Sequence, residues 1–359
     1  MLAAASDPSV RTVVRSSAVT VDVGADRWTD DGWVDISEDL LPEGQVECDS
    51  FRTIHRTCKV RLSRGLDWGK DRLRLRMRLT SAEGTFEVPV GVFLLSTPSE
   101  RAGESPTTFE VEGYDLLEVL DQPHGAAVVA AAGTGYLASA RTLIEAAGLQ
   151  VTFADEQDDR LLSQDRVWPL DQRTTTLQIV NELLAAVGFR KLHIGANGTA
   201  RSQPLTPLSE RGTEWVYDAS AVDTTVGEFR TGMFDFFDVP NRLVAVSDDP
   251  EAGLSAVTLN NVSDGPTSQD GRGRVITAVE RFEAADAAAL EAQAADRFDE
   301  LSNVAEEFSL QVSPNPTHFY RDVVRLVDPD MGVSVKCVVR RFTLPLDGSD
   351  MQLELRAVR

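Results

Sequence analysis

Cysteine and histidine are almost missing from this 359-residue sequence. Its three cysteines, Cys48, Cys58 and Cys337, are too few for a disulfide framework, and no CxxC offers a zinc site. Cys48 and Cys58 could pair if their strands are neighbours; two buried free thiols is the favoured reading. The four histidines (His55, His124, His193, His318) are scattered, and neither HExxH nor GxSxG occurs. These absences weigh against most metalloenzymes and hydrolases. Positive charge is also short. Lys and Arg number 35 against 57 Asp and Glu, for a formal charge of −22, which opposes wrapping nucleic acid by phosphate neutralisation. No apolar run approaches the roughly 20 residues of a membrane helix, so no membrane insertion is expected. The N-terminal MLAAASDPSV lacks the basic and apolar regions of a signal peptide.

What is present has globular proportions, 42% hydrophobic and 26% charged, and the length fits two or three domains. Residues 10 to about 118 read as short strands. Val19–Val23 and Cys58–Leu62 alternate apolar and polar, the period of a half-buried strand. Leu73, Leu75, Met77 and Leu79 mark a longer strand with Arg72, Arg74, Arg76 and Arg78 on its other face. Phe86–Leu95 is a strand pair or one bent strand, where Pro89 and Gly91 suit an edge or a bulge.

At residue 119 the pattern changes. A helix over Ala138–Ala147 ends at Gly148, and a second, capped from Thr174-Thr175-Thr176 and striped with Leu177, Val180, Leu183 and Leu184, ends at Gly188. Strands follow each glycine, and Asn197-Gly198 signals a type I′ hairpin. From 208 strands return, except for an alanine-rich helix over 284–304 with an acidic face. The expected organisation is a first β domain over 1–118, a small α/β insert over 119–207 and a second β domain over 208–359.

Few residue constellations promise chemistry. Gly133-Thr134-Gly135-Tyr136-Leu137-Ala138 fits GxGxxA, with Asp155-Glu156 near the distance of a ribose acceptor. A dinucleotide fold needs several βαβ units, however, and this one stands within mostly β sequence. We read a Gly/Thr turn with Thr134 or Ser139 capping a helix, and no cofactor. His318 and Asp322 approach a strand, so their side chains need not meet. The five tryptophans read as core or interface, no carboxylate pair is singled out, and no catalytic or metal residues are assigned.

Charge asymmetry is the stronger signal. From Arg52 to Arg78 ten basic residues face two aspartates, a local balance of +8. Arg72, Arg74, Arg76 and Arg78 are therefore candidates for a subunit interface, where bidentate arginines suit acidic partners. A solvated outer face ranks slightly ahead, and nucleic acid, with no interleaved aromatics, ranks third.

Several segments together resemble the hub proteins of phage tail tips and baseplates. They are Pro89–Phe93 with Val111–Leu117; Thr176–Gln203 with Asn181-Glu182-Leu183-Leu184 and Gly188-Phe189; Asn260–Ser268 before the alanine-rich helix; Pro314-Asn315-Pro316 with Asp322-Val323-Val324; and Leu344-Pro345-Leu346 with Met351-Gln352-Leu353. Arg321 departs from a glycine common before the Asp-Val-Val, which implies a wider turn. The resemblance implies two tube-like β-barrel domains flanking the α/β insert. It implies a homotrimer whose six β domains ring a pore, in a virion tail tip assembled in a bacterial cytoplasm. Its implied partners are the distal tail protein ring, the C-terminus of the tape-measure protein, distal tip or fibre proteins, and DNA only in transit. Such hubs often carry a C-terminal cell-wall hydrolase; with Arg359 directly after the last expected strand, none is expected here. A contractile-injection hub is the related alternative, and a cell-wall-degrading tail enzyme is the alternative from another class.

Overall fold

The computed structural model describes residues 12–15, 19–96, 98–101, 107–154, 160–170, 173–208, 210–221, 226–234, 237–248, 254–263, 265–302 and 306–358. The first part is all strand: β1 (Thr20–Thr29), β2 (Gly32–Asp35), β3 (Leu40–Asp49), β4 (Arg56–Leu62), β5 (Arg72–Ser81), β6 (Gly84–Leu95), β7 (Ser99–Arg101) and β8 (Thr108–Asp115). A middle part holds β9 (Val128–Ala130), α1 (Tyr136–Ala146), β10 (Val151–Phe153), β11 (Arg166–Trp168), α2 (Thr176–Ala186), β12 (His193–Ile194) and β13 (Ala200–Ser202). The remainder comprises β14 (Trp215–Asp218), β15 (Val226–Phe234), β16 (Arg242–Ser247), β17 (Val257–Asn260), α3 (Gln269–Arg272), β18 (Thr277–Phe282), α4 (Ala287–Ser302), β19 (Glu306–Val312), β20 (Val323–Asp328), β21 (Val333–Pro345) and β22 (Met351–Ala357).

The mainly β reading with an α+β insert holds, but the expected pair of closed barrels is replaced by one open sheet. Fourteen strands run β15-β19-β22-β21-β3-β4-β8-β6-β5-β1-β2, with β7, β14 and β20 off this path. The joint is β3 against β21, antiparallel, with Asp49 opposite Arg341 and Val46 opposite Leu344. One apolar core follows from it. Leu73, Leu75, Met77 and Phe93 from the first part share a cluster with Tyr217, Phe308, Leu326 and Leu353 from the last. Period-two alternation built this core: Leu73, Leu75, Met77 and Leu79 are all fully buried. Phe86–Leu95 is a single bent strand. Its bulge falls at Val90, since Leu75 opposes Gly91 and Arg76 opposes Pro89. The Val90 carbonyl accepts from Arg56 Nη1 at 2.6 Å.

The middle part follows its glycines. α1 and α2 are each followed by a left-handed glycine, Gly148 at φ 78 and Gly188 at φ 74. Thr175 caps α2 in a full capping box with Gln178. The striped residues Leu177, Val180, Leu183 and Leu184 are buried with Ile144 and Leu137 of α1 in a second core. β10 runs parallel to β13, and β12 antiparallel to it. The Asn197-Gly198 turn is not type I′. Gly198 has φ 85, but Asn197 does not share the positive φ that type I′ demands at both central positions. The Gly198 amide instead closes onto the Gly195 carbonyl at 2.8 Å, with Gly198 as the left-handed residue after the turn.

The alanine-rich helix starts at Ala287, three residues later than expected. Asp286 prefers to cap, and its Oδ1 accepts from the Ala289 amide at 2.9 Å. α4 buries Ala289, Leu290 and Ala294 against β16 and also meets the end of α2. Gln293 Nε2 donates to the Ala185 carbonyl at 2.9 Å, and the Ala285 amide to Ala186 at 2.9 Å.

Candidate functional site

The arginines proposed for an interface are largely engaged within the chain. β5 lies between β1 and β6, and its outer face meets acids from three strands. Asp26, only 5% exposed, accepts from Arg74 Nε at 2.9 Å and Arg76 Nε at 3.1 Å. Arg76 also reaches Asp35 at 2.8 Å and Glu87 at 3.2 Å, and Arg78 reaches Glu87 at 2.9 Å. The Arg74 guanidinium stacks 4.6 Å from the Trp33 ring. These contacts hold Glu87 below the usual carboxylate range, the Arg78 hydrogen bond most of all. Arg72 is half-buried on the same face, and Arg78 is the most solvent-facing of the three ion-paired arginines.

The acidic face of α4 is engaged as well, by Arg321. Its guanidinium lies 3.3 Å from Asp296 and 2.9 Å from Glu300. Arg321 is the non-glycine with positive φ among the described residues, at 56°. The turn is tight rather than wide, since the Asp322 amide reaches the Phe319 carbonyl at 3.2 Å. Arginine takes the left-handed position that glycine would fill more easily, and its two carboxylate partners compensate for the strain.

This turn is where three of the four scattered histidines, His55, His193 and His318, gather. Tyr320 is stacked between His55 from the β3–β4 connection, 4.3 Å between ring centroids, and His193 from β12, at 5.4 Å. Burial pushes the His55 imidazole down to about 3 and that of His193 to about 4, so both are neutral near neutrality. His318 and Asp322 do meet, Nδ1 to Oδ2 at 3.3 Å, and the Tyr217 hydroxyl bonds His318 Nε2. Glu214 adjoins this pair. It accepts from the Val323 amide at 2.8 Å and Arg211 at 3.0 Å, and burial beside Asp322 pushes its carboxyl up to about 7. Tyr217, His318 and Asp322 are linked in the order of a proton relay. Tyr217 is fully buried and His318 is 4% exposed, so no substrate reaches them from the surface. Their evident work is to fasten the turn. Sequence spacing could not reveal a cluster drawn from three distant segments, although Asp296 and Glu300, four apart on one helix, signalled a basic partner.

The remaining motifs lose their functional readings. β9 and α1 do flank the glycine-rich turn, but among the described strands β9 pairs only with β11, antiparallel, and not in a parallel βαβ unit. The turn's amides are occupied by its own chain, Gly133 on Leu162 at 2.8 Å and Tyr136 on Arg160 at 3.0 Å. Gly135 is the N-cap without a side-chain bond, so neither Thr134 nor Ser139 caps α1. Asp155 and Glu156 lie outside the described residues. Cys48, Cys58 and Cys337 are free and buried. Among the described residues no three His, Cys, Asp or Glu side chains gather as a metal site, and no helix is long and apolar enough to cross a membrane. A polar cleft of about 240 Å³ on the β3–β4–β8 face is lined by charges that pair across it, Lys59 with Glu112 at 2.9 Å and Arg52 with Glu47 at 3.1 Å.

The fold is that of phage tail proteins, matched along the whole chain. A tail protein from Neisseria meningitidis superposes with a TM-score of 0.64 at 12% identity, over 93% of this chain and 96% of its own. The 43 kDa tail protein of prophage MuSo2 from Shewanella oneidensis gives 0.59 at 12%, over 94% and 98%. A prophage tail protein of Listeria monocytogenes gives 0.56 at 11%, over 93% and 94%. No protein-family model matches the sequence, and no curated protein does. The resemblance read from short segments is thus one of three-dimensional structure at low identity.

Proposed function

We propose that this chain is a structural hub of a phage tail tip or baseplate, acting as a homotrimer in the virion. The observation that carries this reading is the whole-length match to tail proteins, in which both β parts and the insert take part together. The architecture supports it. Each chain contributes two sheet-rich parts, 1–118 and 208–359, fused edge to edge through β3 and β21, and three copies offer six wedges for an annulus. Three copies of a chain of charge −22 make a strongly anionic ring, past which DNA slides without adhering. The hub acts by geometry, without catalysis. It closes the tube, joins the distal tail protein ring to distal tip or fibre proteins, and opens for the tape-measure C-terminus and DNA.

Negative-stain imaging of the purified chain tests this. Rings with threefold averages are expected. A monomer at all concentrations, or peptidoglycan hydrolysis abolished by one carboxylate substitution, would count against it.

A further inference from the structure

Two carboxyl groups meet where the chain leaves its middle part. The connection from β13 to β14 is pinned along its length. Arg190 Nη2 donates to the Thr206 carbonyl at 2.9 Å, and the Leu208 amide donates to Asp299 Oδ2 at 2.9 Å. Arg211 Nη1 donates to the Arg321 carbonyl at 2.7 Å, and Lys336 Nζ donates to the Arg211 carbonyl. The last residue of the connection, Glu214, bonds Val323 twice. Its amide donates to the Val323 carbonyl at 2.7 Å, and its Oε2 accepts from the Val323 amide at 2.8 Å. β14 starts at the next residue, in parallel register with β20.

The Glu214 carboxyl also hydrogen-bonds that of Asp322. Asp322 Oδ2 already accepts from the Phe319 amide at 2.8 Å and pairs with His318 Nδ1 at 3.3 Å. The Tyr217 hydroxyl bonds His318 Nε2; donating there, it leaves the ring proton on Nδ1, facing Asp322. Asp322 is thus the acceptor of its neighbours, and the proton between the two carboxyls sits on Glu214. Two carboxylates in contact repel unless a proton bridges them. Arg211 Nη2, 3.0 Å from Glu214 Oε1, offsets part of that repulsion, but the same guanidinium is also committed to the Arg321 carbonyl. Burial first, and then the Asp322 charge, pushes the Glu214 carboxyl up to about 7. The Glu214 side chain is 23% exposed, so solvent can exchange its proton.

We propose that the Glu214–Asp322 contact is a proton-operated latch, fastening Arg211–Glu214 onto β20 while one proton bridges the carboxyls and loosening it when that proton leaves. The direction follows from linkage. A folded-state value above the ordinary 4.5 makes the contribution complete below pH 4.5, and it is lost as pH rises through about 7. His55 and His193, pushed down to about 3 and about 4, stay neutral across that upper range and do not oppose it. Asp115, the buried carboxyl pushed up to about 6, bonds the Arg56 amide instead. The loosening is local, because α4 keeps its own hold on the middle part through Gln293 and the Ala185 carbonyl. What the latch sets is how firmly the exit from the middle part is tied to the large sheet.

Hydrogen–deuterium exchange of the full chain tests this, read as protection factors so that the intrinsic pH dependence of exchange is removed. Peptides covering 210–217 and 319–326 should lose protection roughly tenfold between about pH 6 and about pH 8, while a β5 peptide does not change. In Glu214→Gln the carboxamide donates to Asp322 and accepts from Val323 at every pH. Protection should then stay at the level found near pH 6, with the pH dependence gone. Asp322→Asn supplies the same bond from the other side and should also be flat, and it decides the matter if Glu214→Gln does not fold. A wild-type chain equally protected at both pH values overturns the latch. So does a Gln or Asn variant that keeps the wild-type fall, or one that loses protection equally at both pH values, the mark of a merely structural contact.

Discussion

Arg321 holds Asp296 at 3.3 Å while its own backbone sits at φ 56, so one residue combines a strained turn with a largely buried ion pair. A left-handed non-glycine costs about 1–3 kcal/mol, and breaking a buried pair from one side costs about 3–5 kcal/mol. Arg321→Gly therefore relieves the smaller quantity and forfeits the larger. It should lower unfolding stability by about 2 kcal/mol, read from the urea midpoint. A stabilised Arg321→Gly variant would show that strain outweighs the pair.

The arginine face separates structural from surface charges. Asp26→Ala leaves Arg74 and Arg76 facing each other without their shared carboxylate, and should cost about 3 kcal/mol. Arg78→Ala removes a pair between partly exposed side chains, at 52% and 39%, and should cost less than about 1 kcal/mol. Any assembly role of this face is better probed through Arg72→Glu and Arg78→Glu. Reversing Arg74 or Arg76 would damage the fold at Asp26 before it reported on subunits. Equal thermal shifts for Asp26→Ala and Arg78→Ala would contradict this ranking.

Acid should loosen the Tyr320 clamp. The folded His55 and His193 values, about 3 and about 4, lie below the unfolded value of 6.5. Their contribution is complete above pH 6.5 and is lost as pH falls toward those values, because the unfolded chain binds the protons first. Asp115, raised to about 6 by burial, works in the opposite direction between pH 3.8 and 6, since its folded form binds the proton more readily. His193→Phe keeps a ring against Tyr320 and removes one titration. Relative to wild type it should gain up to about 1.4 kcal/mol per pH unit between pH 6 and 5. Parallel stability profiles for the two proteins would sink this account.

Gly113 on β8 leaves no room for a methyl group. A Cβ there would come within 2.7 Å of Cys58 Sγ and 2.9 Å of Phe93 Cβ, both in the core. Gly113→Ala should cost about 1–3 kcal/mol by overpacking. Gly212→Ala, where no atom stands within 4 Å, should leave the melting temperature nearly unchanged.

The signals legible in the sequence were local. Leu73, Leu75, Met77 and Leu79 announced a strand because period two is written in adjacent residues, and Gly148 and Gly188 announced helix ends because a left-handed turn favours glycine. The Pro89–Gly91 bulge was legible for the same reason. Asn197-Gly198 misled because the dipeptide marks a turn without fixing whether one or both residues go left-handed. The barrels gave way to one sheet because strand pairing between β3 and β21 leaves no trace in either strand's own pattern. The histidine cluster was hidden similarly. His55, His193 and His318 became neighbours only after three parts of the chain had folded together, and Arg321 stood out only as a residue where glycine was expected.

The β3–β21 seam has a consequence for how the molecule is made. Glu47 and Arg341, bound across it at 2.9 Å, are 294 positions apart. During synthesis, the first eight strands emerge long before the strand that completes their border. Until β21 arrives, the border at β3 is a bare ladder, and contacts between such distant segments form slowly. Nascent chains of this protein should therefore be most vulnerable to mispairing in the interval when roughly 50 to 340 residues have left the ribosome, which makes translation speed itself a determinant of yield.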